Sequence, residues 1–263
     1  MTDRADQTIK ALRTGHDELT ALVGGFTADD LIRGSGASQW DISQVLSHLG
    51  SGAEIGLATL EAALDATGAP GHEFNQKVWA RWDAMSPAER AEGFVRANET
   101  LVRRYEELDA PTRERLRIDF GFLPAPVDVA TAAGLRLSEF AHHSWDVRVG
   151  FDPAATLAPE ATELLIDQAG MLIGFIGQAG NLAGRPVTIA VRTTSPQRSL
   201  GLDVRDAVAL VDAPDQPDGE LTAPAEWWLR LVSGRHAPEH TPAGVRLTGA
   251  VSLDDLRKVF PGY

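Results

Sequence analysis

The hydrophobic pattern of this chain changes period once, and that change limits the fold to a helical half followed by a mixed half. In the first half apolar residues recur three and four apart. Ile9, Leu12, Leu19, Leu22 and Val23 mark a first helix, which Gly24 and Gly25 end. After Gly184 the pattern becomes alternating in PVTIAVRT, SLGLDVR and AVALVD, three predicted strands separated by polar turns. With 263 residues, 43% of them hydrophobic, the chain can bury a core in each half.

The helical half reads as four long helices. Asp41 caps the second and Gln44 stands three residues on, the spacing of a capping box, with Trp40 and Val45 at the two staple positions. This helix is predicted to run to about Ala66, and Gly50, Gly52 and Gly56 within it point to close packing or to room for a ligand. A short helix is expected over His72 to Asp83. The next opens at Pro87 behind the cap Ser86 and continues to about Asp109. Residues 110–127 read as a connection with three prolines and a short extended piece, RLRIDF. The fourth long helix spans Asp128 to Val149. Four such helices make a bundle, and the long connection before the last permits a topology other than simple up-down alternation.

Gly150-Phe151-Asp152-Pro153 is the expected boundary, giving domains 1–152 and 153–263. The second is read as one helix from Glu160 to about Ile176, the three strands, a helix in PAEWWLRLVSG with Pro224 at its start, a last strand in VRLTGAV and a last short helix capped by Ser252. That is a small α+β unit with an antiparallel sheet, so the whole chain is expected to be a two-domain α+β protein.

Composition removes several classes of function. Lys and Arg number 24 against 37 Asp and Glu, a formal charge of −13, which argues against a nucleic-acid partner. Cysteine is absent, so disulfides, thiolate metal ligands and a cysteine nucleophile are excluded within the chain. The polar start MTDRADQTIK has no apolar signal core, which makes the cytoplasm the default, and no apolar run reaches the length of a membrane span. A GxGxxG turn, a phosphate-binding GxxxxGK[ST] loop, HExxH and GxSxG are all missing.

The residues that carry chemistry lie in the helical half. Glu139 and His143 are four apart and share a helix face. His48, in the middle of an apolar stretch of the second helix, needs a partner. Were the two helices to face each other, the three would form a His-Glu-His set with a vacant position, as catalytic zinc has; nickel, iron and manganese accept the same N/O donors. The same three side chains can also form a purely structural hydrogen-bonded network. Asp146, one turn past His143, can hydrogen-bond a ligating histidine or pair with Arg148 or Arg136. His142 points away from His143. His16 and His72 lack companions at metal spacing, and His236 and His240 bracket Pro238, which spoils a regular helix.

Two segments resemble a known family. WDISQVLSHL, Trp40 to Leu49, is similar to the first metal-ligand box of the DinB-like maleylpyruvate isomerase family, and LSEFAHHSWDVR, Leu137 to Arg148, to its second box, E-x-x-x-H-x-x-D. GELTAPAEWWLRLVSGR and LTGAVSLDDLRKVFPGY resemble the C-terminal domain of its mycothiol-dependent members. The resemblance implies a DinB-like four-helix bundle followed by a sterol-carrier-like α+β domain. It implies a metal held by His48, Glu139 and His143, zinc first among the candidates, with Asp146 closing the second box. It implies mycothiol, the low-molecular-weight thiol of actinobacteria, as cosubstrate. An essential arginine of the family's C-terminal domain is matched first by Arg235 and second by Arg230.

The expected function is therefore a divalent-metal- and mycothiol-dependent isomerase or thiol S-transferase acting on a small, electrophilic, unsaturated oxo-acid. Coordination would hold the borrowed thiol as a thiolate, and Arg235 would stabilise the enolate formed when it adds to the substrate. A thiol-independent metal hydrolase or lyase and a non-catalytic binding or regulatory protein remain alternatives. The partners expected are small molecules only, with neither nucleic acid nor membrane, on a monomer or homodimer.

Overall fold

The computed structural model describes residues 2–182 and 184–262; Met1 and Tyr263, the outermost residues of the two expected domains, lie outside this description. The chain forms two compact units, one ending at Asp152 and the other beginning at Pro153.

The first unit contains α1 (Thr2–Val23), α2 (Ala28–Leu31), α3 (Ile42–Leu64), α4 (His72–Asp83), α5 (Pro87–Glu106), α6 (Ala110–Arg115), the two-residue strands β1 (Arg117–Ile118) and β2 (Val127–Asp128), and α7 (Val129–Val149). Its long helices begin where their caps dictate. The Asp41 carboxylate accepts from the Gln44 backbone N–H while the Gln44 side chain accepts from the Asp41 N–H, and Ser86 and Glu89 do the same for α5. Asp128 caps α7 through the Thr131 N–H.

Connection 110–127 holds more structure than the sequence suggested. Asp109 caps a short helix, α6, with a proline in its first turn, and β1 pairs antiparallel with β2. The apolar faces of the four long helices meet in a core that includes Leu12, Leu19, Leu46, Leu49, Phe94 and Phe140. Within it α3 packs most extensively on α5, and α1 on α7. The α3–α7 junction is less extensive, and Gly52, which faces Arg136 of α7, remains partly accessible.

Glycine permits a close approach between α3 and Trp82 of α4. A Cβ on Gly50 would stand 2.1 Å from the ring edge of Trp82, whose indole N–H donates to Glu54 Oε2 at 3.1 Å.

The second unit contains α8 (Pro159–Leu165), α9 (Ala169–Ile176), β3 (Val187–Thr194), β4 (Gln197–Val204), β5 (Val208–Val211), β6 (Gly219–Ala223), α10 (Ala225–Val232), β7 (Arg246–Gly249) and α11 (Leu253–Val259). The expected single helix from 160 to 176 is interrupted by a 3-10 turn at Ile166–Gln168. The expected antiparallel sheet is in fact mixed. Its order is β5-β4-β3-β6-β7, and β3 pairs parallel with β6, Ile189 opposite Gly219, while the other three pairings are antiparallel.

The reason is β6, a fifth strand hidden in the polar-flanked GELTA. The chain leaves β5 at one edge and returns on the far side of β3 in the same direction as β3. Gly201 eases that departure, since a Cβ there would stand 2.5 Å from the Asp212 carbonyl oxygen.

Every residue of α10 is buried. Burying its two charges is tolerable because they pair: Arg230 Nε and Nη2 donate to the two Glu226 carboxylate oxygens at 2.7 and 3.0 Å. Among the described residues, no helix is long and apolar enough to cross a membrane.

Candidate metal centre

The α3–α7 junction brings together the three donors that the sequence singled out. His48 Nε2 lies 2.9 Å from Glu139 Oε2, and His143 Nε2 lies 3.7 Å from the same oxygen. One donor atom from each residue falls within 4.8 Å of the others. Donors bonded at about 2.0–2.1 Å around a tetrahedral ion stand roughly 3.3 Å apart, so these separations bracket what an ion requires. The set is two imidazole nitrogens and one carboxylate oxygen, which suits zinc and other borderline divalent ions.

The surrounding residues fix the donors. Asp146 is fully buried and its Oδ2 accepts from His143 Nδ1 at 2.8 Å. With Nδ1 carrying the proton, Nε2 presents its lone pair toward Glu139. The alternative partners proposed for Asp146 are engaged elsewhere: Arg148 reaches Ser144 and Glu18, and Arg136 reaches Leu49 and Asn98.

The loop before α3 closes over Asp146, with the Gly36 N–H donating to its backbone carbonyl at 2.8 Å. A Cβ on Gly36 would stand 2.8 Å from the Asp146 carboxylate. The same loop delivers Trp40, whose ring centroid is 5.2 Å from that of His48 and 6.0 Å from that of His143. Trp40 therefore walls one side of the triad, a role that its staple position did not disclose.

Electrostatics favour an ionised Glu139. Burial alone would raise its pKa, but the His48 hydrogen bond and the nearness of His143, His48 and the Arg136 guanidinium outweigh that effect and hold the carboxyl well below the usual carboxylate range. Its side chain is still half exposed, so the donors face an accessible cleft rather than a sealed interior.

The remaining histidines do not join the triad. His142 is buried and its Nδ1 donates to the Ser138 carbonyl at 2.8 Å. His236 Nε2 donates to the Phe260 carbonyl, and His240 Nδ1 to that of Pro153. His72 packs its ring near that of Trp79.

His16 corrects the sequence reading, because its companions come from another helix. With Asp17 and Glu99 it forms a second potential donor cluster. Arg13 already pairs with Glu99 at 2.5 Å and with Glu106 at 2.9 Å, which makes that cluster an ion-pair network.

Of the two arginines expected to act from the second unit, Arg230 is buried and paired with Glu226. Arg235 is partly buried, and its Nη1 donates to the Ser233 carbonyl at 3.2 Å.

A four-helix bundle carrying a His-Glu-His cluster that could hold a metal ion, followed by a mixed α+β unit, defines the class of two-domain protein to which this chain belongs. The family model described as the mycothiol maleylpyruvate isomerase N-terminal domain matches residues 12–148, more than half of the chain, and the chain belongs to that family. Two solved structures share the whole fold: the mycothiol-dependent maleylpyruvate isomerase, and a histidine-to-alanine mutant of it. Each is 14% identical, aligns over 94% of this chain and 95% of its own, and superposes with a TM-score of 0.65. No curated protein matches the sequence.

Proposed function

We propose that this chain is a divalent-metal- and thiol-dependent isomerase or S-transferase, with mycothiol as the thiol and a small unsaturated oxo-acid as the electrophile. The observation that carries this reading is the convergence of His48, Glu139 and His143 on an accessible cleft, in a chain that has no cysteine of its own. Membership of the mycothiol maleylpyruvate isomerase N-terminal domain family supports it.

His48, Glu139 and His143 would hold the ion, with zinc as the first candidate. When bound, a divalent ion supplies positive charge that lowers the pKa of an incoming thiol and so makes sulfur nucleophilic near neutral pH. The protein's own residues do the rest. Asp146 keeps the proton on His143 Nδ1, which leaves Nε2 free to donate its lone pair. Trp40 shields one flank of the imidazoles from water.

The thiolate sulfur forms a bond to the β-carbon of a double bond conjugated to a carbonyl, and the π electrons move to the carbonyl oxygen. Rotation about the bond that is now single, followed by return of the electrons and loss of the thiolate, gives the isomer. Protonation at carbon in place of that loss gives an S-conjugate. Arg235 is the residue we assign to the enolate charge, through a guanidinium that cannot give up its proton.

The test is metal analysis of protein prepared without chelator, followed by assay with and without mycothiol. About one ion per chain in the wild type, lost in His48→Ala, together with turnover that requires thiol, is the expected result. Absence of metal from the wild type overturns the reading. Metal-dependent turnover that ignores thiol replaces it with a hydrolase or lyase.

A further inference from the structure

A chain of polar side chains crosses the bundle from α1 to α3. At its middle Asn98, on α5, is fully buried. Its Oδ1 accepts from Arg136 Nη2 at 2.7 Å, and the same nitrogen donates to the Leu49 carbonyl at 2.8 Å. Its Nδ2 lies 2.9 Å from Nδ1 of His16. The direction of these bonds is set at one end. A guanidinium can only donate, so the Asn98 oxygen must face Arg136 and its NH2 group must face His16. Nδ1 of His16 is therefore the acceptor, and the single proton of the neutral ring sits on Nε2, 3.1 Å from Glu99 Oε2. Thr20 Oγ1 stands 3.5 Å from both ring nitrogens and so favours neither.

This polarity opposes a second proton. Placed on Nδ1, it would meet the N–H of Asn98, donor against donor, in a buried contact. Turning the amide over relieves the clash at His16 but sets its NH2 group against Arg136 Nη2, so the conflict only moves along the chain. The charges around His16 come from every side of it. On α1 Arg13 and Asp17 flank the ring, and α5 presents Glu99, which also pairs with Arg13. From α7 Phe140 fills the space beside Gly15, and Arg136 reaches the ring only through Asn98. The remaining neighbour of α1, α6, commits its Arg113 to Asp6. Burial outweighs the nearby carboxylates and holds the imidazole below its ordinary pKa.

We infer that Asn98 is the link of a pH-sensitive latch, in which protonation of His16 and the Arg136–Asn98 hydrogen bond exclude each other. With His16 neutral, Arg136 is held at once by α5 and by the backbone of α3. With His16 charged, the Asn98 oxygen turns to the imidazolium, and Arg136 keeps only the Leu49 carbonyl. Proton uptake on α1 is thus transmitted to the α3–α7 junction. The latch is a property of the bundle and stands whether or not the cleft takes an ion.

The experiment is nitrogen-15 NMR of the histidine rings and guanidinium groups of the full-length protein, with His16→Gln and Arg136→Gln identifying the two sets of signals. At pH 7.5 the His16 ring should carry its proton on Nε2 and none on Nδ1. On acidification the His16 and Arg136 signals should move with one midpoint, and in His16→Gln the Arg136 signal should stay still. Arg136→Gln replaces the obligate donor by an amide that can face either way, so it should raise the proton affinity of His16 roughly tenfold. In an Asn98→Ala background, where no amide has to turn, the same substitution should raise it far less. Equal rises in the two backgrounds mean charge repulsion alone and overturn the inference. So does a proton on Nδ1 at pH 7.5, or an Arg136 signal that ignores the titration of His16. A His16 that stays neutral until unfolding, in the wild type and in Arg136→Gln alike, overturns it as well. Should Asn98→Ala not fold, the Nε2 tautomer and the shared midpoint carry the decision.

Discussion

The buried carboxylate of Asp146 lies 2.8 Å from Nδ1 of His143. Both residues sit on α7, three apart, so the contact is built into the pitch of one helix and needs no other element to form. It sets the tautomer of the histidine and the direction of its lone pair. Asp146→Asn keeps the shape but loses the charge, and its amide can present a donor to Nδ1. We expect metal affinity to fall roughly 10- to 100-fold, as for other outer partners of ligating histidines. Competition with a chromophoric chelator measures this; unchanged affinity would remove Asp146 from the centre.

Acid should destabilise the protein through His16. Burial lowers its pKa below the ordinary value of 6.5, an effect that Glu99 partly opposes. The unfolded chain therefore takes up this proton more readily than the folded one. Stability is retained above about pH 6.5, the ordinary histidine value, and is lost progressively as the pH falls through it toward the lower folded pKa. His236, lowered by burial as well, acts in the same direction. Thermal melts from pH 7.5 to 5.5 should show a falling Tm, with a shallower slope in His16→Gln. A flat wild-type profile contradicts this account.

Gly50→Ala tests the packing of α3. The new methyl would stand 2.1 to 2.9 Å from three atoms of the Trp82 ring, and that ring is anchored to Glu54 by its N–H. Overpacking of this kind costs about 1–3 kcal/mol, more than the gain of up to about 1 kcal/mol from replacing glycine within a helix. A lower Tm is expected, and an unchanged or higher one would show that Trp82 can move aside.

Glu226→Ala removes a carboxylate from beside the buried Arg230. Arg230 is 2% exposed, and Glu226 supplies a carboxylate partner. Loss of one member of a buried pair costs about 3–5 kcal/mol. Denaturant unfolding should show the deficit, and Glu226→Gln, which keeps one acceptor, should recover part of it.

Local chemistry explains what was legible in the sequence. Asp41 with Gln44, Ser86 with Glu89, and Asp128 announce the helix starts because a cap needs only neighbours in sequence. Glu139 and His143 were visible as a pair for the same reason, and His48 stood out as an ionisable ring in an apolar helix stretch, a placement that the family resemblance then reinforced.

What stayed hidden depends on partners far along the chain. His16 looked solitary because Asn98 and Glu99 belong to another helix. Arg136 was read only as a possible partner of Asp146, and its actual partners, the Leu49 carbonyl and Asn98, come from α3 and α5. Strand β6 is five residues long and starts with glycine, so its buried Leu221 and Ala223 carry too short an alternation to be read. Its parallel pairing to β3 is a property of topology that no local pattern encodes.

Asn98 donates to His16 Nδ1 at 2.9 Å and accepts from Arg136, which in turn reaches the backbone of α3. A single amide thus ties α1, α5, α7 and α3 into one chain of polar contacts through the middle of the bundle. A substitution at position 98 would therefore be felt in three helices besides the one that carries it, so loss of that amide should loosen the bundle as a whole rather than one contact.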